Sequence, residues 1–164
     1  MSGKVNLPPV PFVKMIYITT AEDMYNAVTA EFENTDIVIK AAAVADFRPK
    51  RIADDKLEKA DGMDSIELEP TKDILKELGK NKKNRFICGF SMETKNMTEN
   101  SRKKLENKNL DMIVCNNLKV EGAGFQGDTN VVTVIDKTNI TELGIMSKTE
   151  VADKILDRIA EINK

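Results

Sequence analysis

Two periods govern the hydrophobic positions of this chain. From Ala21 to Phe32 the apolar residues Met24, Ala27, Val28 and Phe32 fall at i, i+3, i+4 and i+8, one face of a helix, with Thr20 as N-cap and Asp23 at the third helical position. Val13 to Ile18 reads as a strand before that helix. Ile37 to Ala45 reads as a second strand after it, apolar except at Lys40 and so expected to be covered on both faces. A long loop opens at Asp46. Ile66 to Leu68 has the look of a short edge strand, and Thr71 that of an N-cap for a helix over Lys72 to Leu78, with Asp73 in its first turn and Gly79 ending it.

The second half continues the alternation. Arg85 to Met92 sets Phe86, Cys88, Phe90 and Met92 against Ile87 and Gly89, a strand in which the glycine suggests that something approaches closely. Met97 to Asn107 predicts a weakly amphipathic helix whose apolar positions are Met97 and Leu105. Asp111 to Cys115 is a short apolar strand ended by Asn116 and Asn117. Asn130 to Asp136 and Ile140 to Leu143 pair as a hairpin across Lys137 and Thr138. Ser147 and Glu150 form a capping box before a last helix with Val151, Ile155, Leu156 and Ile159 as its stripe.

Strands alternating with helices imply a three-layer, Rossmann-like α/β fold with a mostly parallel sheet and an antiparallel hairpin appended. With 164 residues and no internal repeat, the expectation is one nucleotide-binding α/β domain over residues 1–164. No G-x-G-x-x-G follows any strand, which argues against an NAD or FAD site.

Composition narrows the chemistry further. Hydrophobic residues make up 41% and charged residues 32%, a globular balance, and no apolar run approaches the length of a membrane span, so a cytoplasmic protein without a membrane partner is expected. A net charge of −2 argues against bulk binding to nucleic acid. The chain has no histidine, which removes histidine ligands, histidine bases and Ser-His or Cys-His pairs. Cys88 and Cys115 lie in apolar runs and read as buried free thiols. Carboxylates, lysines, amides and backbone groups remain.

Those groups gather in two places. The alanine run Ala41 to Ala45 stops at Asp46, and Arg48, Lys50, Arg51, Lys56 and Lys59 follow; Arg102, Lys103, Lys104 and Lys108 crowd the second half of the polar helix. Together with Phe90 and Asn116-Asn117 at strand ends, such cations suit a compact phosphorylated ligand such as a nucleoside triphosphate with Mg²⁺. Taken alone, the first stretch also fits a core strand with a solvated loop, the lysine run a solvated helix face, and Asp46 a turn cap. The glycine-rich stretch at Gly122, Gly124 and Gly127 reads as a flexible loop rather than a phosphate cradle.

The motifs AAAVADFRP, KLEK, PTKDIL, CGFSMETKN, RKKLENKNLDMIVCNN and GFQGDTNVVTVID, colinear from about Ser2 to the end, resemble the C-terminal part of phosphopantothenoylcysteine synthetase, the ligase half of a bifunctional flavoprotein family of coenzyme A biosynthesis. The resemblance implies a CTP-dependent ligation of 4′-phosphopantothenate to cysteine through an acyl-cytidylate, with Mg²⁺ as cofactor and a homodimer formed through the 130–143 hairpin. It implies that Ala41, Ala42, Ala43 and Asp46 contact the nucleotide and that Phe90 packs on it. Lys56 would close over the reacting phosphate as the catalytic lysine, Lys104 and Lys108 would hold the triphosphate tail, and Thr71, Lys72 and Asp73 would lie beside base or ribose. No metal ligand follows from it.

The sequence departs from that pattern twice. The lysine loop has Glu58 where relatives of this kind have a further lysine, and relatives carry, ahead of the first residue here, a strand-helix-strand unit with an Asn-Arg-Ser-Ser-Gly segment for the acyl side. The expectation is that the isolated chain is incomplete for ligation and depends on a separate or missing N-terminal segment. The alternative expectation is a non-catalytic nucleotide-binding and dimerisation module that supplies half a site to a partner chain.

Overall fold

The computed structural model of the protein describes residues 1–56, 58, 65–93, 96–117 and 127–164. Two compact units are formed, one from residues 1–34 and 43–74 and the other from residues 35–42 and 75–164.

The larger unit is built on a five-stranded sheet in the order β1-β4-β5-β6-β7: β1 (Ile37–Lys40), β4 (Phe86–Glu93), β5 (Met112–Asn117), β6 (Thr129–Asp136) and β7 (Ile140–Ser147). β1 and β5 flank β4 in parallel, in registers Ile37↔Phe86 and Cys88↔Met112, and β6 and β7 add antiparallel neighbours on the other side. Helix α3 (Met97–Asn107) makes the crossover that a parallel β4–β5 pair requires. Apolar residues of alternating parity fill both faces. Phe86, Cys88, Met112, Val114, Val132 and Val134 pack under Val151, Ile155 and Ile159 of α4 (Lys148–Ile162). On the opposite face Gly89 lies against Leu75 of α2 (Ile74–Lys80) and Leu110, while Ser91 meets Ser101 of α3. This is the expected three-layer α/β arrangement, each buried Ile or Leu contributing about 1.5–3 kcal/mol.

Three expectations about this unit change. The strand expected over Ile37 to Ala45 stops at Lys40, and Ile37 and Ile39 are 45% and 40% exposed rather than covered, because β1 is the sheet edge and alanines offer a strand little to pack. Gly79 does not end its helix, which runs on to Lys80; a Cβ there would sit 1.9 Å from the Lys108 carbonyl oxygen, so the glycine serves backbone contact between α2 and the end of α3. Gly89 likewise accommodates core leucines, with Leu75 Cδ1 2.8 Å from where its Cβ would be. Leu156, expected in the α4 stripe, is 54% exposed, while Val151, Ile155 and Ile159 are buried. Asn116 and Asn117 end β5 as expected, as its last two residues.

The smaller unit holds α1 (Ala21–Phe32), whose capping box is as the sequence reads: Asp23 N–H donates to Thr20 Oγ1 at 3.0 Å and Thr20 N–H to Asp23 Oδ2 at 2.9 Å. The Thr20 N–H, with the Thr20 hydroxyl and the Thr19 N–H after it, holds the Asp23 carboxyl below its usual range. The strand expected over Val13 to Ile18 is reduced to one parallel bridge between Tyr17 and Ser2, in which Ser2 N–H donates to the Ile16 carbonyl and Ile18 N–H to the Ser2 carbonyl, and the prolines before it cannot donate. The loop after Asp46 opens with a strand that the sequence reading missed. β2 (Phe47–Pro49) pairs antiparallel with β3 (Leu68–Pro70), two residues beyond the expected edge strand, and Arg48–Glu69 at 2.7 Å and Lys50–Glu67 at 2.5 Å tie the ribbon. No helix among the described residues is long and apolar enough to cross a membrane.

Gly79→Ala should cost about 3 kcal/mol in urea unfolding, because backbone rather than a side chain must yield. Ile155→Ala should cost about 2–5 kcal/mol and Leu156→Ala only about 0.5 kcal/mol.

Candidate functional site

Within the smaller unit the candidate residues assemble around Asp46. Thr71 does not cap a helix as expected. Its hydroxyl donates to the Ala45 carbonyl at 2.6 Å and its N–H to the Asp46 carbonyl at 2.9 Å, while α2 begins only at Ile74. The two bonds fix the backbone on both sides of the 45–46 peptide and leave the Asp46 side chain exposed, as Ala43 is. Lys72 is already engaged: Nζ lies 2.6 Å from Glu22 and 4.3 Å from the centroid of the Tyr25 ring. Asp73 stands directly before α2. Lys56 is exposed; Lys59 and glycines 122 and 124 lie outside the described residues.

Within the larger unit, Ala41 and Ala42 follow β1 and are exposed, so their backbone groups are open to a ligand; the Ala42 carbonyl accepts from Lys40 Nζ at 2.9 Å. Phe90 lies mid-strand and half-buried against the α4-side cluster. Lys104 lies on the α3 side instead, where Nζ is 2.5 Å from Glu93 Oε1 and Asn100 Nδ2 donates to Glu93 Oε2 at 3.2 Å. Strand alternation places Phe90 and Glu93 on opposite faces, so Phe90 and Lys104 are not brought together. Lys108 follows α3 as its C-cap, with its carbonyl against Gly79.

Glu93 was not legible as a site residue. It reads as the turn into α3, whereas it is the last residue of β4, paired in register with Asn117 of β5, with its side chain only 12% exposed. A second unread feature lies beneath it. Ser101, fully buried on α3, accepts from Cys115 Sγ at 2.8 Å and lies 3.2 Å from Ser91 Oγ. This buried polar trio fixes α3 across β4 and β5 one turn before Lys104. Neither feature has a sequence signal, because each joins elements that are set side by side only by the fold.

The arrangement has carboxylates, ammonium groups and open backbone but no nucleophilic thiol. Burial pushes the Cys88 thiol up to about 12, with the Asp111 charge adding to it, and burial likewise raises Cys115 against its hydrogen bonds with Ser101 and Ser91. Among the described residues no group of three or more acidic or cysteine side chains is placed to hold a metal ion.

Native protein at pH 8 should resist iodoacetamide, and both thiols should alkylate in guanidinium chloride. Both thiols are neutral in the folded and unfolded chain below the unfolded value of about 8.5; above it the unfolded state binds fewer protons, so stability falls as pH rises from about 8.5 toward 12. Urea midpoints at pH 7.5 and pH 10, compared with those of Cys88→Ala, check the sign.

Comparison with known proteins gives the setting. Residues 1–162 match the family described as DNA/pantothenate metabolism flavoprotein C-terminal domain. The chain is 48% identical over 166 residues to the Coenzyme A biosynthesis bifunctional protein CoaBC of Bacillus subtilis (strain 168), covering 100% of this chain and 41% of that protein. It is 44% identical over 160 residues to a Cysteine/Cysteine sulfinic acid decarboxylase from an unknown prokaryotic organism, covering 96% of this chain and 45% of that one. The crystal structure of the C-terminal domain of Coenzyme A biosynthesis bifunctional protein CoaBC superposes with a TM-score of 0.80 at 40% identity, covering 98% of this chain and 73% of that chain. The chain thus spans about two-fifths of the length of the curated relatives it matches. It belongs to the DNA/pantothenate metabolism flavoprotein C-terminal domain family and matches the phosphopantothenoylcysteine-synthetase part of the bifunctional coenzyme A biosynthesis proteins.

Proposed function

We propose that this chain is the nucleotide-binding part of a phosphopantothenate-cysteine ligase that uses CTP. The observation that carries the proposal is the match over the whole chain to the C-terminal domain of CoaBC. In the reaction proposed, a carboxylate oxygen of 4′-phosphopantothenate bonds to the α-phosphorus of CTP and the bond to pyrophosphate breaks. The amine of cysteine then attacks the acyl carbon of the acyl-cytidylate, loses a proton and expels CMP. The chemistry asks the protein mainly for position and for positive charge near the transferring phosphoryl group.

In this reading the exposed backbone of Ala41, Ala42 and Ala43 recognises the base. Asp46, presented by the two bonds from Thr71, and the Thr71-Lys72-Asp73 segment flank the nucleotide, and the free edge of Phe90 packs on it. Lys56 neutralises the reacting phosphate, and Lys104 and Lys108 hold the triphosphate tail. A Mg²⁺ ion fits this donor set as one carried by the triphosphate with at most one or two carboxylates, since magnesium keeps several waters and seldom occupies an all-protein cage. The ligase is taken to work as a homodimer joined through β6 and β7, a reading supported by the exposed Ile140 and Ile145 on the edge strand β7.

A second reading is a non-catalytic module that binds nucleotide and dimerises for a partner. It is favoured by the recurrence of this segment in a relative named for a decarboxylase. Pyrophosphate release from CTP and 4′-phosphopantothenate separates the two readings, measured with the chain alone and with a separately made N-terminal segment of a CoaBC protein. Release in either mixture is the expected result. None in both, with CTP still raising the melting temperature, contradicts the ligase and leaves the module. Lys56→Gln should abolish that release while shifting the melting temperature by less than about 1 °C, because the side chain is exposed.

A further inference from the structure

The proposed phosphate lysine Lys104 is already in contact with a carboxylate. Its ammonium lies 2.5 Å from Glu93 Oε1, and the two partners differ in freedom: the Lys104 side chain is 45% exposed and the Glu93 side chain 12%. Glu93 is the last residue of β4, held in the ladder opposite Asn117, and its second oxygen takes the Asn100 amide at 3.2 Å. The helix that carries Lys104 is anchored in turn by the buried contacts of Ser101 with Ser91 and Cys115. The carboxylate is therefore fixed and the ammonium is the partner able to leave.

We propose that Glu93 sets the specificity of the Lys104 position for polyphosphate: it holds the ammonium in the free protein, and only a ligand of high charge density takes that ammonium over, leaving Glu93 with Asn100. The inference rests on the nucleotide reading above for the identity of the ligand, and on the Glu93–Lys104 geometry for everything else. The physical basis is that a carboxylate against an ammonium cancels its field beyond the pair, so a monoanion gains little from the site. A chain of phosphates, with charge on each unit and several acceptor oxygens, gains enough to displace the carboxylate. An ammonium also has three donors, so the exchange passes through a shared arrangement in which Glu93 keeps one N–H while phosphate takes the others. Such a pair binds the tail reversibly, which suits a site that must release a polyphosphate product.

The test is a double-mutant cycle by titration calorimetry with CTP, CMP and inorganic tripolyphosphate as probes. Glu93→Gln, of the same shape and without the charge, should tighten CTP and tripolyphosphate by about five- to tenfold and leave CMP within about twofold. Lys104→Ala should weaken CTP and tripolyphosphate, and Glu93→Gln added to Lys104→Ala should restore nothing. Glu93→Asp, which keeps the charge but pulls it back by one methylene, should tighten the two polyphosphates by an intermediate factor and guards against a folding defect in the glutamine variant. Weaker tripolyphosphate binding by Glu93→Gln, or tightening that persists without Lys104, would overturn the proposal. Tripolyphosphate binding that follows the cycle while CTP fails to bind any variant would keep the Glu93 assignment and remove the nucleotide reading. CTP bound by the native chain with no response to Glu93→Gln would do the reverse.

Discussion

Everything in the larger unit depends on the parallel pairing of β4 with β5. The two strands are buried on both faces, with Ile87, Cys88, Met112, Val114 and Cys115 at 0% exposure, and each has a further strand on its other side, β1 beside β4 and β6 beside β5. A parallel pair cannot be closed by a tight turn, so the chain must cross over through α3, and that crossover is what carries Lys104 and Lys108. The register then does chemical work: it places Glu93 and Asn117 side by side where the strands end, the edge at which open α/β sheets bind ligands. Ser101 is the pin of that arrangement, since a hydroxyl with no exposure is tolerated in a core only when its partners are met.

The charge pattern of the chain changes meaning once it is folded. Arg48, Lys50, Lys72 and Lys104 look in the sequence like a basic surface, yet each is paired, with Glu69, Glu67, Glu22 and Glu93. The first three pairs are exposed on both sides, so they add little to stability, screen easily and do not fix their cations for good, and in the fourth the ammonium is the exposed partner. They keep the surface near neutral while leaving ammonium groups that a stronger anion can recruit. A net charge of −2 and a phosphate-binding function are compatible on these terms.

Elements whose signals are local were legible before folding. The caps at Thr20 and Ser147, the span Met97–Asn107 and the pairing of β6 with β7 stand where period and caps put them, although β7 runs on to Ser147, past the expected end at Leu143. What failed was set by neighbours. Val13 to Ile18 has strand composition without a strand to pair with, the alanine run lost its ladder at a sheet edge, β2 exists because the backbone of Leu68–Pro70 lies opposite it, and Gly79 answers to a carbonyl 29 residues later. The candidate site divides in the same way. Its lysines and Asp46 were visible as residue types and through family resemblance, whereas the Thr71 bonds to Ala45 and Asp46, the Lys72–Glu22 pair and the Glu93–Lys104 pair span 26, 50 and 11 residues and leave no periodic trace.

The central proposal is that the chain binds nucleotide, with Ala41, Ala42, Ala43, Asp46, Glu93 and Lys104 as the residues that respond to it. Amide chemical-shift mapping of the ¹⁵N-labelled chain titrated with CTP and Mg²⁺ addresses it most directly. The account predicts saturable shifts at Ala41, Ala42, Ala43, Asp46, Glu93 and Lys104, with Asp111 and Lys137 at the other end of β5 unmoved. Shifts confined to the Asp111 and Lys137 end, or none at saturating CTP, would contradict it.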